Sequence, residues 1–168
     1  METMTHCDIR PATASDAAAI TAIYDHYVRT TSHNFEYETP DAAEIGRRME
    51  AVRQAGLPYL VAEVKGRLVG YAYATQLRPR PAYRFTVEDS LYVDKEWSGR
   101  GIGRQLLTAL IEGCRKAGIK QMVAGIGGDN PASIALHLGL GFKHVGVLRN
   151  VGYKFDRWLD QTYMQRTL

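Results

Sequence analysis

Three glycines alternate through Ser98-Gly99-Arg100-Gly101-Ile102-Gly103. They stand between a strand-like run, Thr86–Val93, and the longest amphipathic stretch of the chain. In that stretch, 101–117, Ile102, Leu106, Leu107, Leu110, Ile111 and Cys114 fall on one helical face. A strand that turns through glycines into a helix aims the unpaired N–H groups and the positive end of the helix dipole at whatever occupies the turn. Glycine also lets the main chain approach that ligand closely. The segment therefore reads as a pyrophosphate cradle, with Arg100 and Arg104 adding fixed positive charge. Spacing excludes two such cradles. Gly103 is followed by Arg104-Gln105, not by the Lys-Ser/Thr of a Walker loop, and counted from Gly99 the third glycine of a dinucleotide fingerprint falls on Arg104. The same glycines also read as a plain connecting turn.

Around this junction the predicted elements alternate. Asp8-Ile9-Arg10 is a short strand ended by Pro11. Ser15 caps a helix carrying Ile20, Ile23, Tyr24, Tyr27 and Val28, and Thr39-Pro40 opens a second helix through Ile45, Met49 and Val52. Strands at 59–64 and 68–76 flank the turn Lys65-Gly66-Arg67. A proline-stiffened loop, Arg78-Pro79-Arg80-Pro81, precedes the strand at 86–93. After the long helix come a strand at 121–126, a helix at 131–140, and closing strands at 145–151 and 158–164. The order β-α-α-β-β-β-α-β-α-β-β predicts an α/β chain with a central twisted mixed sheet flanked by helices. One domain over 7–168, after a frayed start at 1–6, accounts for the 168 residues.

Composition narrows the function. A net charge of +3 with no dense basic run argues against a nucleic-acid partner. No apolar stretch has the length of a membrane span. Cys7 and Cys114 form neither a CxxC nor a ligand pair, which predicts a reducing, cytoplasmic setting. The histidines, His6, His26, His33, His137 and His144, lack zinc spacing, so no metal is expected. Ser98 and Ser133 lack the context of a hydrolase nucleophile.

The strand ending Ser90-Leu91-Tyr92-Val93, followed by Ser98-Gly99-Arg100-Gly101-Ile102-Gly103, resembles the acetyl-CoA signature of the GNAT superfamily of N-acetyltransferases, departing at its first position, Ser98. Asn130-Pro131-Ala132-Ser133, Leu136-His137 and Leu140-Gly141-Phe142 are similar to the family's second conserved segment, and the element order is the family's order. Within it, Thr86 through Val93, Gly70-Tyr71-Ala72-Tyr73-Ala74, Gly152-Tyr153-Lys154 and Trp158-Leu159-Asp160 look like the phosphinothricin and methionine sulfoximine acetyltransferase branch.

The resemblance implies a homodimer that uses acetyl-CoA to acetylate the α-amino group of a small amino-acid analogue. It implies Glu88 as general base, and the Val93 backbone N–H as oxyanion donor. Leu91, Tyr92 and Val93 would pair with the pantetheine; Gly99, Arg100, Gly101, Ile102, Gly103 and Arg104 would hold the pyrophosphate; Asn130 would touch the coenzyme. His137 stands where most of the family has a tyrosine acid. Phe35, Arg78, Arg80, Tyr83, Glu88, Asp89 and Ser90 would form the acceptor pocket, the arginines suiting an anionic acceptor. Read without the family, Glu88 is equally a solvated strand residue, His137 a half-buried helix histidine, Asn130 an N-cap, and Phe35 and Phe85 core aromatics. Two other functions fit the motifs. One is acetylation of a peptide N-terminus or another amine, with Arg78 and Arg80 arguing against a polycation. The other is a non-catalytic acyl-CoA sensor, which would have no use for Glu88.

Overall fold

The computed structural model describes residues 4–168. Its elements are β1 (Asp8–Pro11), α1 (Ala17–Thr30), α2 (Ala42–Gln54), β2 (Tyr59–Val64), β3 (Arg67–Gln76), β4 (Thr86–Val93), α3 (Ile102–Lys116), β5 (Gln121–Gly127), α4 (Pro131–Gly139), β6 (Lys143–Lys154) and β7 (Arg157–Thr167). They form a seven-stranded mixed sheet in the order β1-β2-β3-β4-β5-β7-β6, flanked by the helices. This is the expected order and architecture.

Two cores lie on opposite faces of the sheet. On one, the α3 stripe Ile102, Leu106, Leu107, Leu110, Ile111 and Cys114 is buried against Val69, Val87, Met122 and Met164. Each such aliphatic side chain contributes roughly 1.5–3 kcal/mol by leaving water. On the other face, α1 and α2 pack Ile20, Tyr24, Val28, Ile45, Met49 and Val52 onto Val61 and Tyr71. Here tyrosine rings stack, with Tyr59 and Tyr73 centroids 4.7 Å apart.

All strand pairs are antiparallel except β4 with β5. That parallel ladder is short: Thr86 faces Gln121, Val87 faces Met122, Glu88 faces Val123, and there it stops. Beyond Glu88 the two strands part, and the sheet opens as a V whose arms are the later residues of β4 and β5.

The helix caps differ from expectation. Ser15 lies inside a 3-10 turn (Ala14–Asp16), and the Thr13 N–H is taken by the Asp16 carboxylate at 2.7 Å. Asp16 is already anchored there by both terminal nitrogens of Arg10, each at 2.8 Å. For α2 the cap is Asp41, accepting the Glu44 N–H at 2.8 Å, while Thr39 donates to Asp25 at 2.7 Å. A carboxylate is the stronger acceptor for a helix terminus.

Strands β6 and β7 run longer than 145–151 and 158–164, because register shifts between His144 and Gly146 and between Leu148 and Gly152 break the alternation that marks a strand. Their turn, Phe155-Asp156, has φ of 53° and 56° without a glycine. Residues 1–3 of the expected frayed start lie outside the described residues. Thr5 is held: its N–H donates to the Arg100 carbonyl at 3.0 Å, and its carbonyl accepts from Gln105 at 2.7 Å.

Candidate active site

The V between β4 and β5 is chemically open because of ladder parity. The Asp94 N–H bonds to the Val69 carbonyl and the Leu77 N–H to the Thr86 carbonyl. Antiparallel pairs alternate between bonded and non-bonded, so the even residues of β4 bond to β3. The main-chain groups of Asp89, Leu91 and Val93 therefore face the gap that β5 has left. Tyr27 on α1 closes one of them: its hydroxyl donates to the Val93 carbonyl. The Leu91 and Val93 N–H groups are left for a ligand.

Two clefts meet in this gap. One, of about 290 Å³, runs along Leu91, Val93, Ser98, Gly99, Gly101, Ile102 and Gly103 to Asn130. Gly101 caps α3 with φ 78°, a left-handed conformation costly for any side chain, and a Cβ there would stand 3.3 Å from Met4. Asn130 caps α4, its carbonyl oxygen accepting the Ser133 N–H at 3.2 Å, so the side-chain NH2 is what it can offer the groove. The groove suits the chain of amides and phosphates that coenzyme A carries: open strand N–H groups at one end and a glycine-lined helix N-terminus at the other. Arg100 and Arg104 are not on its wall. Arg100 lies over the Trp97 ring at 4.8 Å, and Arg104 reaches the Gly139 carbonyl at 3.4 Å.

The second cleft, of about 230 Å³, is lined by Phe35, Glu88, Asp89, Ser90, Tyr92, Gly125, Gly127, Gln161 and His137, among others. Burial raises the Glu88 carboxyl above its ordinary value; the Asp89 charge adds to this and the Arg78 guanidinium opposes it. A carboxylate so shifted is the stronger base when ionised. Tyr92, expected on the coenzyme, lines this cleft instead.

Asp89 and His137 are both buried, with His137 Nε2 3.0 Å from Asp89 Oδ2. The His137 Nδ1–H donates to the Ser133 carbonyl at 2.7 Å. Desolvation pulls this imidazole down, but the Asp89 hydrogen bond and charge outweigh it and the net shift is upward. Both ring nitrogens are thus committed within the protein.

Phe35 reaches the cleft from the loop between α1 and α2, and its seat is made of glycine. A Cβ on Gly127 would stand 2.9 Å from the Phe35 ring, and one on Gly152 would stand 2.7 Å from it. Arg78, Arg80 and Tyr83 are exposed and absent from the cleft wall. Gln76 folds their loop back on itself, donating to the Arg78 and Arg80 carbonyls at 2.6 and 3.1 Å. The Arg78 charge still reaches the site, where it favours ionised Glu88.

Sequence reasoning passed over Tyr27 and His33, which line both clefts. Tyr27 reads as core from its helical spacing, and His33 has no motif. The signal for His33 is its segment, Tyr27 through Glu36, which looks like the phosphinothricin branch but does not single out that histidine.

The family model for the acetyltransferase (GNAT) domain matches residues 9–163. The chain is 50% identical over 163 residues to a phosphinothricin N-acetyltransferase of Alcaligenes faecalis, covering 96% of this chain and 83% of the relative. It is 44% identical over 160 residues to the L-methionine sulfoximine/L-methionine sulfone acetyltransferase of Salmonella typhimurium, covering 95% and 94%. A crystal structure of a GNAT superfamily phosphinothricin acetyltransferase from Sinorhizobium meliloti in complex with AcCoA superposes with a TM-score of 0.95 at 44% identity, covering 98% of this chain and 89% of that one. With a sheet that parts after Glu88, a glycine-lined helix N-terminus at the opening and a family match over nearly its whole length, the chain belongs to the GNAT family of acetyltransferases.

Proposed function

We propose that this protein is an acetyl-CoA-dependent N-acetyltransferase for the α-amino group of a small amino-acid analogue of the phosphinothricin, methionine sulfoximine or methionine sulfone type. One observation carries this reading: Glu88, desolvated and raised, lines a cleft of about 230 Å³ that shares its wall with the coenzyme groove. That volume suits an amino acid. Similarity to enzymes named for these acceptors supports it.

Acetyl-CoA supplies an activated acyl group. Glu88 takes a proton from the ammonium, so that the nitrogen has a lone pair to attack with. The Val93 N–H, open to the gap, is placed to meet the developing oxyanion. Asp89 and Ser90 complete the wall, and Phe35 roofs it. Residues 7–168 act as one catalytic domain.

The enzyme works in the cytoplasm as a homodimer, without nucleic-acid or membrane partners. Support for the dimer comes from the β6–β7 hairpin. There Val145 is 63% and Trp158 65% exposed, and Leu148, Val151, Tyr153 and Phe155 are exposed along the same hairpin, apolar surface of the kind that marks an interface. Two free buried cysteines suit a reducing compartment.

The direct test is thiol release from acetyl-CoA with each of the three analogues, by the wild type and by Glu88→Gln. The expected result is turnover by the wild type and a loss of roughly 10²–10⁴-fold in kcat for the variant, with coenzyme affinity kept. Coenzyme binding with no turnover of any analogue overturns the acceptor class.

A further inference from the structure

Five residues line both clefts: Tyr27, His33, Leu91, Asn130 and Ser133. They mark the only ground common to an acceptor nitrogen in one cleft and a coenzyme sulfur in the other. Of the five, His33 alone carries a side chain that titrates near neutrality. The Tyr27 hydroxyl is committed to the Val93 carbonyl. His137, the histidine at the family's acid position, has both nitrogens committed, to Asp89 and to Ser133. Among the described residues no side chain is hydrogen-bonded to the His33 ring; the Asp129 backbone hydrogen-bonds it at one nitrogen, and the Tyr27 ring lies 6.3 Å away between centroids.

The chemistry needs a second proton carrier. An ammonium nitrogen loses two protons in becoming an amide N–H. One C–N bond forms, one C–S bond breaks, and the electron pair of the broken bond leaves on sulfur. A sulfur that departs as a thiol takes one proton, and one proton is released overall. Glu88 accounts for the first proton from nitrogen.

We propose that His33 carries the second, taking it from the acceptor nitrogen and giving it to the coenzyme sulfur as the C–S bond breaks. This rests on the acetyltransferase reading above and adds a residue to it. Burial holds the His33 imidazole below its ordinary value, the Asp129 backbone and charge pull it back up, and the charges of His26 on α1 and Lys154 on β6 add to the depression. Burial, the largest of these effects, favours the neutral ring, the form able to accept a proton. Glu88 is shifted up and His33 down, and both line the acceptor cleft.

The test uses His33→Asn, which keeps a polar side chain but removes the ionisation, and His33→Gln as a second replacement. For phosphinothricin, kcat is expected to fall at least tenfold while the KM for acetyl-CoA stays within about twofold. The pH profile of kcat/KM is expected to lose one of two ionisations on its acid side. A profile that superimposes on the wild type overturns the proposal, even if the rate falls, because a packing role would lower rate without removing an ionisation.

Histidine NMR provides a readout that needs no turnover. The His33 ring resonance, assigned by its absence in His33→Asn, is expected to titrate at a different pH when coenzyme A is bound, because the thiol would lie beside it. A titration indifferent to coenzyme A overturns the placement. A wild type that acetylates none of the analogues defeats the function reading instead, and the resonance then decides His33 alone.

Discussion

Glu88 shows how folding changes the chemistry of a common residue. A carboxylate on a strand is ordinarily solvated, and nothing in its immediate sequence says otherwise. Desolvation in the V of the sheet, with Asp89 adjacent, makes it harder to ionise, while the distant Arg78 makes it easier. Removing that cation should raise Glu88 further. Arg78→Ala is expected to move the acid limb of the kcat/KM profile to higher pH, with kcat on the alkaline plateau within about threefold of the wild type, as one lost long-range charge allows. An unmoved limb would detach Arg78 from the site.

His137 was legible as a site residue by position but not by role. Its partner Asp89 lies 48 residues earlier, and only folding brings them to 3.0 Å. His137→Asn strands a buried carboxylate and should cost about 3 kcal/mol in denaturant unfolding. The pH dependence has a definite sign. His137 is raised in the folded state, so its contribution is fully present below the ordinary histidine value near 6.5 and fades as pH climbs through the raised one. The gap between wild type and variant should therefore narrow from pH 6 toward alkaline pH. A constant gap would mean that the pair is not charged.

Among the elements, α3 was the most readable, since six inward residues at helical spacing admit only a helix. Its stripe is buried as read. The loop between α1 and α2 was the least readable. Its polar run, Thr30 through Asn34, breaks the helix but says nothing of where the loop goes. It goes onto glycines: Gly127 from β5 and Gly152 from β6 together leave the space that the Phe35 ring fills. Those two strands meet only through β7, so no local pattern could pair them. A methyl group on Gly152 would sit 2.7 Å from the ring. Gly152→Ala should thus cost about 1–3 kcal/mol by overpacking. It should also raise the acceptor KM several-fold, with acetyl-CoA KM unchanged. Steady-state kinetics with both substrates varied decides it; equal KM values in variant and wild type would remove Phe35 from the acceptor roof.

The whole molecule divides its labour between the two faces of one sheet. The face under α3 and α4 carries the coenzyme groove; the face under α1 and α2 carries Glu88, Ser90 and Tyr92, which alternate with Asp89 and Leu91 along β4. At the far edge, the β6–β7 hairpin presents exposed apolar side chains. Trp158, packed 5.0 Å from the Tyr153 ring, is the largest exposed one. Trp158→Glu is expected to convert a dimer to a monomer in sedimentation velocity, at unchanged far-ultraviolet circular dichroism. A wild type that sediments as a monomer at micromolar concentration would remove the dimer.

By itself the sequence determined the kinds of element, their order, and the glycine-lined N-terminus of α3. These depend on local chemistry: the period of apolar residues, the freedom of glycine, and the caps, where a carboxylate two residues away could still displace the expected hydroxyl. Tertiary structure alone decided where β4 and β5 part, which main-chain groups of β4 face the gap, that Asp89 lies against His137, that Arg78 and Arg80 stay in solvent, and that His33 stands where the two clefts join. Periodicity names the face a side chain turns to, not the partner it finds there. Those partners come from segments tens of residues away, brought together by the burial of the two cores.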